Sequence, residues 1–221
     1  MTPAFWALAL AAASVGALHS VAPDHWVPFA ALARAQRWPA WKTARITLAC
    51  GLGHVTVSAA LGVLALVLGL GALRVLGERL ESVAGLLLMG FGLAYAVWGL
   101  RKATRERMHL HQHAHGHSHS HSRALSEPSR LTAWTLFVLF SLDPCVAVMP
   151  ILFAAAPLGT GRAAAVVLIY EAATLAAMLP LVLLSRAGAT RLKWEWLEQY
   201  GDGAAGGIIA AVGLAVTLLG I

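Results

Sequence analysis

The sequence predicts an all-α integral membrane protein: six transmembrane helices in an inverted repeat of three plus three, with the first and fourth helices broken. Three observations predict it. The 221 residues are 59% hydrophobic and only 12% charged, and mean hydropathy is +0.72, whereas a soluble domain carries about 25% charged residues. The charges leave six long uncharged or nearly uncharged runs. Three of the helical segments match later ones at a near-constant offset. This composition excludes a soluble globular domain, a disordered chain and a nucleic-acid partner. The net charge of +6 is therefore read as a topology signal for a chain whose main partner is the lipid bilayer.

A spanning helix needs about 20 mostly apolar residues. The six runs are 3–23, 46–73 (interrupted only by His54), 82–100, 131–161 (interrupted only by Asp143), 163–185 (interrupted only by Glu171) and 203–221. The N-terminus lacks the basic region of a signal peptide, so the first run is expected to stay in the mature chain. Arg34, Arg37, Lys42 and Arg45 fall in loop one. Arg101, Lys102, Arg105, Arg107, Arg123 and Arg130 fall in loop three, and Arg186, Arg191 and Lys193 in loop five. Only Arg74, Arg79 and Arg162 fall on the other side, a split of thirteen to three. Cytoplasmic loops carry the excess of Lys and Arg. The expectation is a multi-pass inner-membrane protein with loops one, three and five cytoplasmic and both termini outside.

The repeat is read from three matches. Residues 92–100 (GLAYAVWGL) share four of nine positions with 213–221 (GLAVTLLGI), 121 residues later. The same offset lays Ser20-Val21-Ala22-Pro23 on Ser141-Leu142-Asp143-Pro144, and an offset of 117 lays His54 on Glu171. A unit of three spans must be inverted relative to its copy, because three crossings leave the chain on the opposite face. Inverted repeats with broken helices are a common transporter plan, with the substrate near the midplane. The expected organisation is a first repeat over 1–108, a His-rich cytoplasmic loop over 109–130 and a second repeat over 131–221.

Ionisable groups inside spans are costly and mark functional positions. His19, Asp24 and His25 surround Pro23, and Pro23 and Pro28 are both expected to break the first span. His54 follows Gly51 and Gly53, which permit close helix approach, and precedes Thr56 and Ser58. Asp143 precedes Pro144 and reads as a ligand, a proton carrier, or the partner of His25 or His54. Cys145 is either a soft ligand or a small apolar residue, and Glu171 is the other buried acid. Imidazole nitrogen with carboxylate oxygen suits borderline divalent metals. The metal set is thus His19, Asp24, His25, His54, Asp143, Cys145 and Glu171. His109, His111, His113, His115, His117, His119 and His121 alternate with small polar residues. Such tracts read as metal binding, and this alternation is no helix face, so a loop that captures metal is expected.

His19, four residues, then Asp24-His25 resembles the HxxxxDH signature of the nickel/cobalt transporter family, within the broader LysE-like superfamily. Gly53-His54-Val55-Thr56-Val57 resembles that family's second signature. The His-rich loop resembles its efflux and urease-accessory-type relatives. The resemblance implies that His19, Asp24, His25 and His54 form the metal path, that nickel or cobalt is the cargo with zinc or iron as alternatives, and that export is favoured over import. The chain differs from the uptake members, which have eight spans and an arginine where Leu18 stands. No permanently bound cofactor is implied, only the transported ion. Pro144-Cys145 through Pro150 also resembles the motif of membrane thiol–disulfide transporters related to the cytochrome c biogenesis protein. There the counterpart of Cys145 would be a cysteine, and here it is Asp24. A cation diffusion facilitator would need paired His/Asp positions four apart on two helices, which this chain lacks. With neither HExxH nor GxSxG present, no enzymatic activity is expected.

Overall fold

A computed structural model describes residues 2–68, 70–112, 130–143, 145, 148–191 and 195–219. They form α1 (Pro3–His19), α2 (Pro23–Ala35), α3 (Ala40–Leu68), α4 (Leu70–Gln112), α5 (Arg130–Leu142), α6 (Val148–Ala155, followed by a 3-10 turn, Ala156–Leu158), α7 (Thr160–Arg191) and α8 (Glu195–Leu219). Helix is the outcome these sequences force, since a segment in hydrocarbon must satisfy its backbone groups internally. Among the described residues, four stretches are long and apolar enough to cross a membrane: Ala40–Leu64, Ser82–Arg105, Thr160–Ala189 and Gln199–Leu219. The pair α1–α2, bent by 45°, supplies a fifth when counted as one span. The fourth apolar run, expected as a single broken span, forms two short helices, neither of spanning length by itself.

The first break lies where the proline pattern puts it. α1 ends at His19, and Pro23 opens α2 at its first helical position, where a missing N–H costs nothing. Ser20 Oγ lies 2.9 Å from both the Gly16 and Thr174 carbonyls, so its hydroxyl ties the end of α1 to α7. Pro28 does not break the chain as expected: it sits inside α2. Its ring removes one backbone bond, to the Asp24 carbonyl. The burial of Phe29, Leu32 and Ala33 on the same helix holds the helix through that loss. α2 ends at Ala35, and just beyond it Arg37, with a φ of 52°, lets the Trp38 N–H reach the Ala33 carbonyl at 2.9 Å.

α4 corrects two further expectations. It is a 43-residue helix, roughly 65 Å long at 1.5 Å per residue. It includes Arg74 and Arg79, where a loop was expected, and it runs through the 108/109 boundary. His109 and His111 therefore lie on a helix end rather than on an irregular loop. His113, His115, His117, His119 and His121 lie outside the described residues. The reason is propensity: residues 101–112 are rich in Arg, Lys, Glu, Met, Leu and Gln and contain no Gly or Pro, so the helix propagates beyond the apolar stretch.

Small residues set the packing. α4 lies along α8, with Gly92 against Ala210 and Gly206, Gly206 against Ala96 and Gly92, Gly213 against Met89 and Gly85, and Gly85 against Thr217. A side chain at any of these four glycines would run into the facing backbone; their absence lets the helices approach closely. α1 packs on α7 and α5 packs on α3, with Gly16 against Tyr170 and Thr174, and Gly53 against Phe137 and Ser141. One apolar cluster centres on Cys145, Val148 and Tyr170, and a second on Phe29, Trp38, Phe140, Met178 and Ile209.

A polar network joins the end of α2 to α4, α7 and α8. Lys102 Nζ and the Tyr95 hydroxyl donate to the two Asp202 oxygens at 2.9 and 2.8 Å. Gln36 Nε2 donates to Tyr95 Oη, and Trp38 Nε1 to Gln36 Oε1. Arg186 Nε reaches the Trp38 carbonyl and Arg34 Nε the Ala189 carbonyl.

Candidate metal centre

The break between α1 and α2 places His19 as the last residue of one helix and His25 in the first turn of the next. Their rings are 4.3 Å apart between centroids. α3 brings His54 to 5.3 Å from His25 and 6.5 Å from His19. The break after α5 brings in Cys145. One ring nitrogen each of His19 and His54 and the Cys145 sulfur all lie within 4.8 Å of one another. A tetrahedral ion with bonds of 2.0–2.3 Å has donor–donor edges of roughly 3.5 Å, so a contraction of about 1 Å closes the set on an ion. His25, Cys145 and His54 are 1–3% exposed.

The surroundings orient these donors. His54 Nδ1 lies 3.3 Å from the Phe140 carbonyl. A carbonyl only accepts, so this contact places the proton on Nδ1 and the lone pair on Nε2, the usual arrangement around a metal-binding histidine. His25 Nδ1 faces Asp24 Oδ2 at 3.0 Å. The Cys145 backbone N–H donates to Ser58 Oγ at 2.9 Å, which fixes the cysteine against α3 one turn beyond His54. Cys145 Sγ and Tyr170 Oη are 2.7 Å apart. The Nε2 atoms of His19, His25 and His54 are all buried without a hydrogen-bond partner. Each such orphan costs roughly 1–3 kcal/mol. A cation bound beside Cys145 would relieve those of His19 and His54.

Of the seven residues read from the sequence, His19, His25, His54 and Cys145 converge, and Asp24 stands behind His25. Asp143 follows the end of α5 and lines a small cavity with Asp24, beside the centre. Glu171 is not brought into the cluster. Successive helical residues point about 100° apart; on α7 it is Tyr170, 1% exposed, that faces Cys145, while Glu171 is only partly buried. Sequence reasoning missed Tyr170, whose signal was a polar-tipped aromatic inside an apolar run. It also missed the Phe140 carbonyl, which no side-chain pattern announces. Thr56 turns outward, with its hydroxyl on the Leu52 carbonyl.

Chemically, the arrangement is a cluster of imidazole and thiol donors inside an apolar helical bundle, suited to a borderline or soft cation. Comparison with protein-family models, with curated proteins and with solved structures gives no match.

Proposed function

We propose that the chain is a membrane carrier for a divalent transition-metal cation, nickel or cobalt before zinc or iron, and not an enzyme. The observation that carries this reading is the three partnerless buried imidazole nitrogens beside the Cys145 sulfur. Isolated buried histidines are ordinarily satisfied by packing neighbours, and three together with open lone pairs have a cation as their natural partner. The HxxxxDH resemblance points to the same cargo. In this reading the ion sits among His19, His25, His54 and Cys145, and Asp24 offsets its charge. The His109 to His121 tract, of which His109 and His111 lie at the end of α4, gathers metal, and the direction is export.

We further propose six crossings, with α5 and α6 together making the fourth, related as an inverted repeat. Support comes from the α4–α8 contacts. Gly92 on Ala210 and Gly206 becomes Gly213 on Met89 and Gly85 when each residue is exchanged for the one 121 away, and Gly206 on Ala96 becomes Gly85 on Thr217. Such reciprocity is what a two-fold relation requires. The polar network gathers Arg34, Lys102 and Arg186, from loops one, three and five, at one end of the bundle, which supports placing those loops together on the cytoplasmic side. The thiol–disulfide alternative is disfavoured, because Cys50 and Cys145 belong to different apolar clusters.

The test is ion flux in sealed proteoliposomes across a panel of nickel, cobalt, zinc, iron, magnesium and calcium. Saturable flux of nickel or cobalt, lost in His54→Ala, is expected. Flux of none of the transition metals by folded protein refutes the proposal.

A further inference from the structure

A cavity of about 20 Å³ lies beside the metal centre, between α2, α4, α5 and α8. We propose that it is a second cation site, one that binds sodium.

Its walls are apolar except for two carboxylates, Asp24 and Asp143. Asp24 is only 6% exposed, and its Oδ1 is buried without a hydrogen-bond partner. Leu139 and Phe140, from the last turn of α5, complete that side. A helix C-terminus carries a partial negative charge and carbonyls without helical partners. The ends of discontinuous membrane helices coordinate alkali ions or protons for this reason. Two carboxylates therefore meet at one space beside the end of α5, and a single water-sized occupant takes about 10–15 Å³.

The donor chemistry selects the ion. Oxygen donors alone favour a hard cation, in contrast to the nitrogen and sulfur donors of the neighbouring centre. Magnesium demands octahedral geometry and keeps several waters, and calcium takes six to eight oxygens; a space for one small occupant meets neither need. A monovalent ion remains, and the strong field of two carboxylates favours sodium over the larger potassium. The ion also answers an electrostatic need, since the buried, partnerless Asp24 Oδ1 is costly in apolar surroundings inside a membrane.

The two sites share Asp24. Its Oδ2 faces His25, while the carboxylate also lines the cavity. A cation in the cavity draws on the same negative charge that steadies the metal centre, so each ion weakens the other, reciprocally. This coupling, unlike sodium binding itself, rests on the metal reading above.

The experiment is equilibrium dialysis of radioactive sodium against the metal-free full-length protein in detergent, with choline chloride holding ionic strength constant. Saturable binding of one ion per chain is expected, with potassium competing at least tenfold more weakly. Asp143→Asn should weaken sodium at least tenfold. Should that variant fail to fold, Ala84→Leu, which fills the cavity from α4, should weaken sodium by the same factor. No saturable sodium binding by the parent, potassium competing as well as sodium, or unchanged binding in the folded variant overturns the site. Cobalt titration with and without saturating sodium then separates the two claims. Sodium that binds as described yet leaves cobalt undetected upholds the sodium site and counts against the metal centre. Cobalt bound with no sodium does the reverse.

Discussion

Replacing His54 with alanine separates a metal ligand from a packing residue, and the structure sets the magnitudes. In the metal-free protein the change removes one hydrogen bond, from Nδ1 to the Phe140 carbonyl, worth about 1 kcal/mol net. It also removes one orphaned buried nitrogen, Nε2, which costs roughly 1–3 kcal/mol. Removing a fully buried ring also leaves a cavity, at a cost of roughly 2–5 kcal/mol. The metal-free melting temperature should therefore fall, and the test is the further stabilisation that metal gives each protein. With metal the two proteins should diverge. Even the partners that only orient a ligand cost 10–100-fold in affinity when lost, so deleting a ligand should weaken binding about 100-fold or more. At a cobalt concentration 100 times the parent's Kd, the parent gains about 2.7 kcal/mol of stability. The variant, with that concentration no higher than its own Kd, gains about 0.4 kcal/mol at most. The assay is thermal unfolding in detergent with and without cobalt, on a background in which His109, His111, His113, His115, His117, His119 and His121 are serine. Equal stabilisation of parent and variant by cobalt would sink the assignment of His54 as a ligand.

The remaining predictions test the other parts of the reading. Cys145→Ala should lower affinity for the softer ions more than for magnesium or calcium in competition binding, while Cys50→Ala should leave flux unchanged; loss of all activity in Cys50→Ala would favour thiol exchange instead. Gly92→Leu pushes a side chain into the backbone of Ala210 and the Gly206 carbonyl and should destabilise the folded bundle by about 1–3 kcal/mol. Gly90→Leu, which meets nothing within 4 Å, should melt like the parent. A cysteine introduced by Ser118→Cys should be shielded from impermeant thiol reagent in intact cells and one introduced by Thr2→Cys labelled, the reverse pattern overturning the orientation. Serine in place of the seven tract histidines should abolish several weakly bound cobalt ions per chain. In the parent those ions should be released as pH falls through about 6.5, the ordinary imidazole value, because protons then occupy the lone pairs.

Much of the fold was legible because it is decided over short windows. Whether a run of residues enters hydrocarbon depends on its own summed hydropathy, and once there its backbone has only the helix to adopt. The run containing His54 and the run that begins at Gly203 were therefore visible as helices without any knowledge of their neighbours. Pro23 marked its break for a similar reason, since a missing N–H acts locally. Pro28 carried the same local signal and did not break α2, because Phe29 and Leu32 are anchored in the core. α4 overran its apolar stretch because helix propagation ignores the membrane boundary.

The candidate site divides along the same line. That His19, Asp24, His25 and His54 are set in or beside apolar helices, and so must find partners, followed from the sequence alone. Which partners they find was decided by the tertiary structure. The bend between α1 and α2, the seating of Gly53 on α5 and the break after Leu142 bring His19, His54 and Cys145 to one point, and a register shift in any of the three would separate them. The choice of Tyr170 over Glu171 rests on the rotation of α7 about its own axis, and the orientation of His54 on a backbone carbonyl of another helix. Local hydropathy and propensity sum along the chain, but convergence depends on crossing angles and helix rotation, which exist only once the helices have packed.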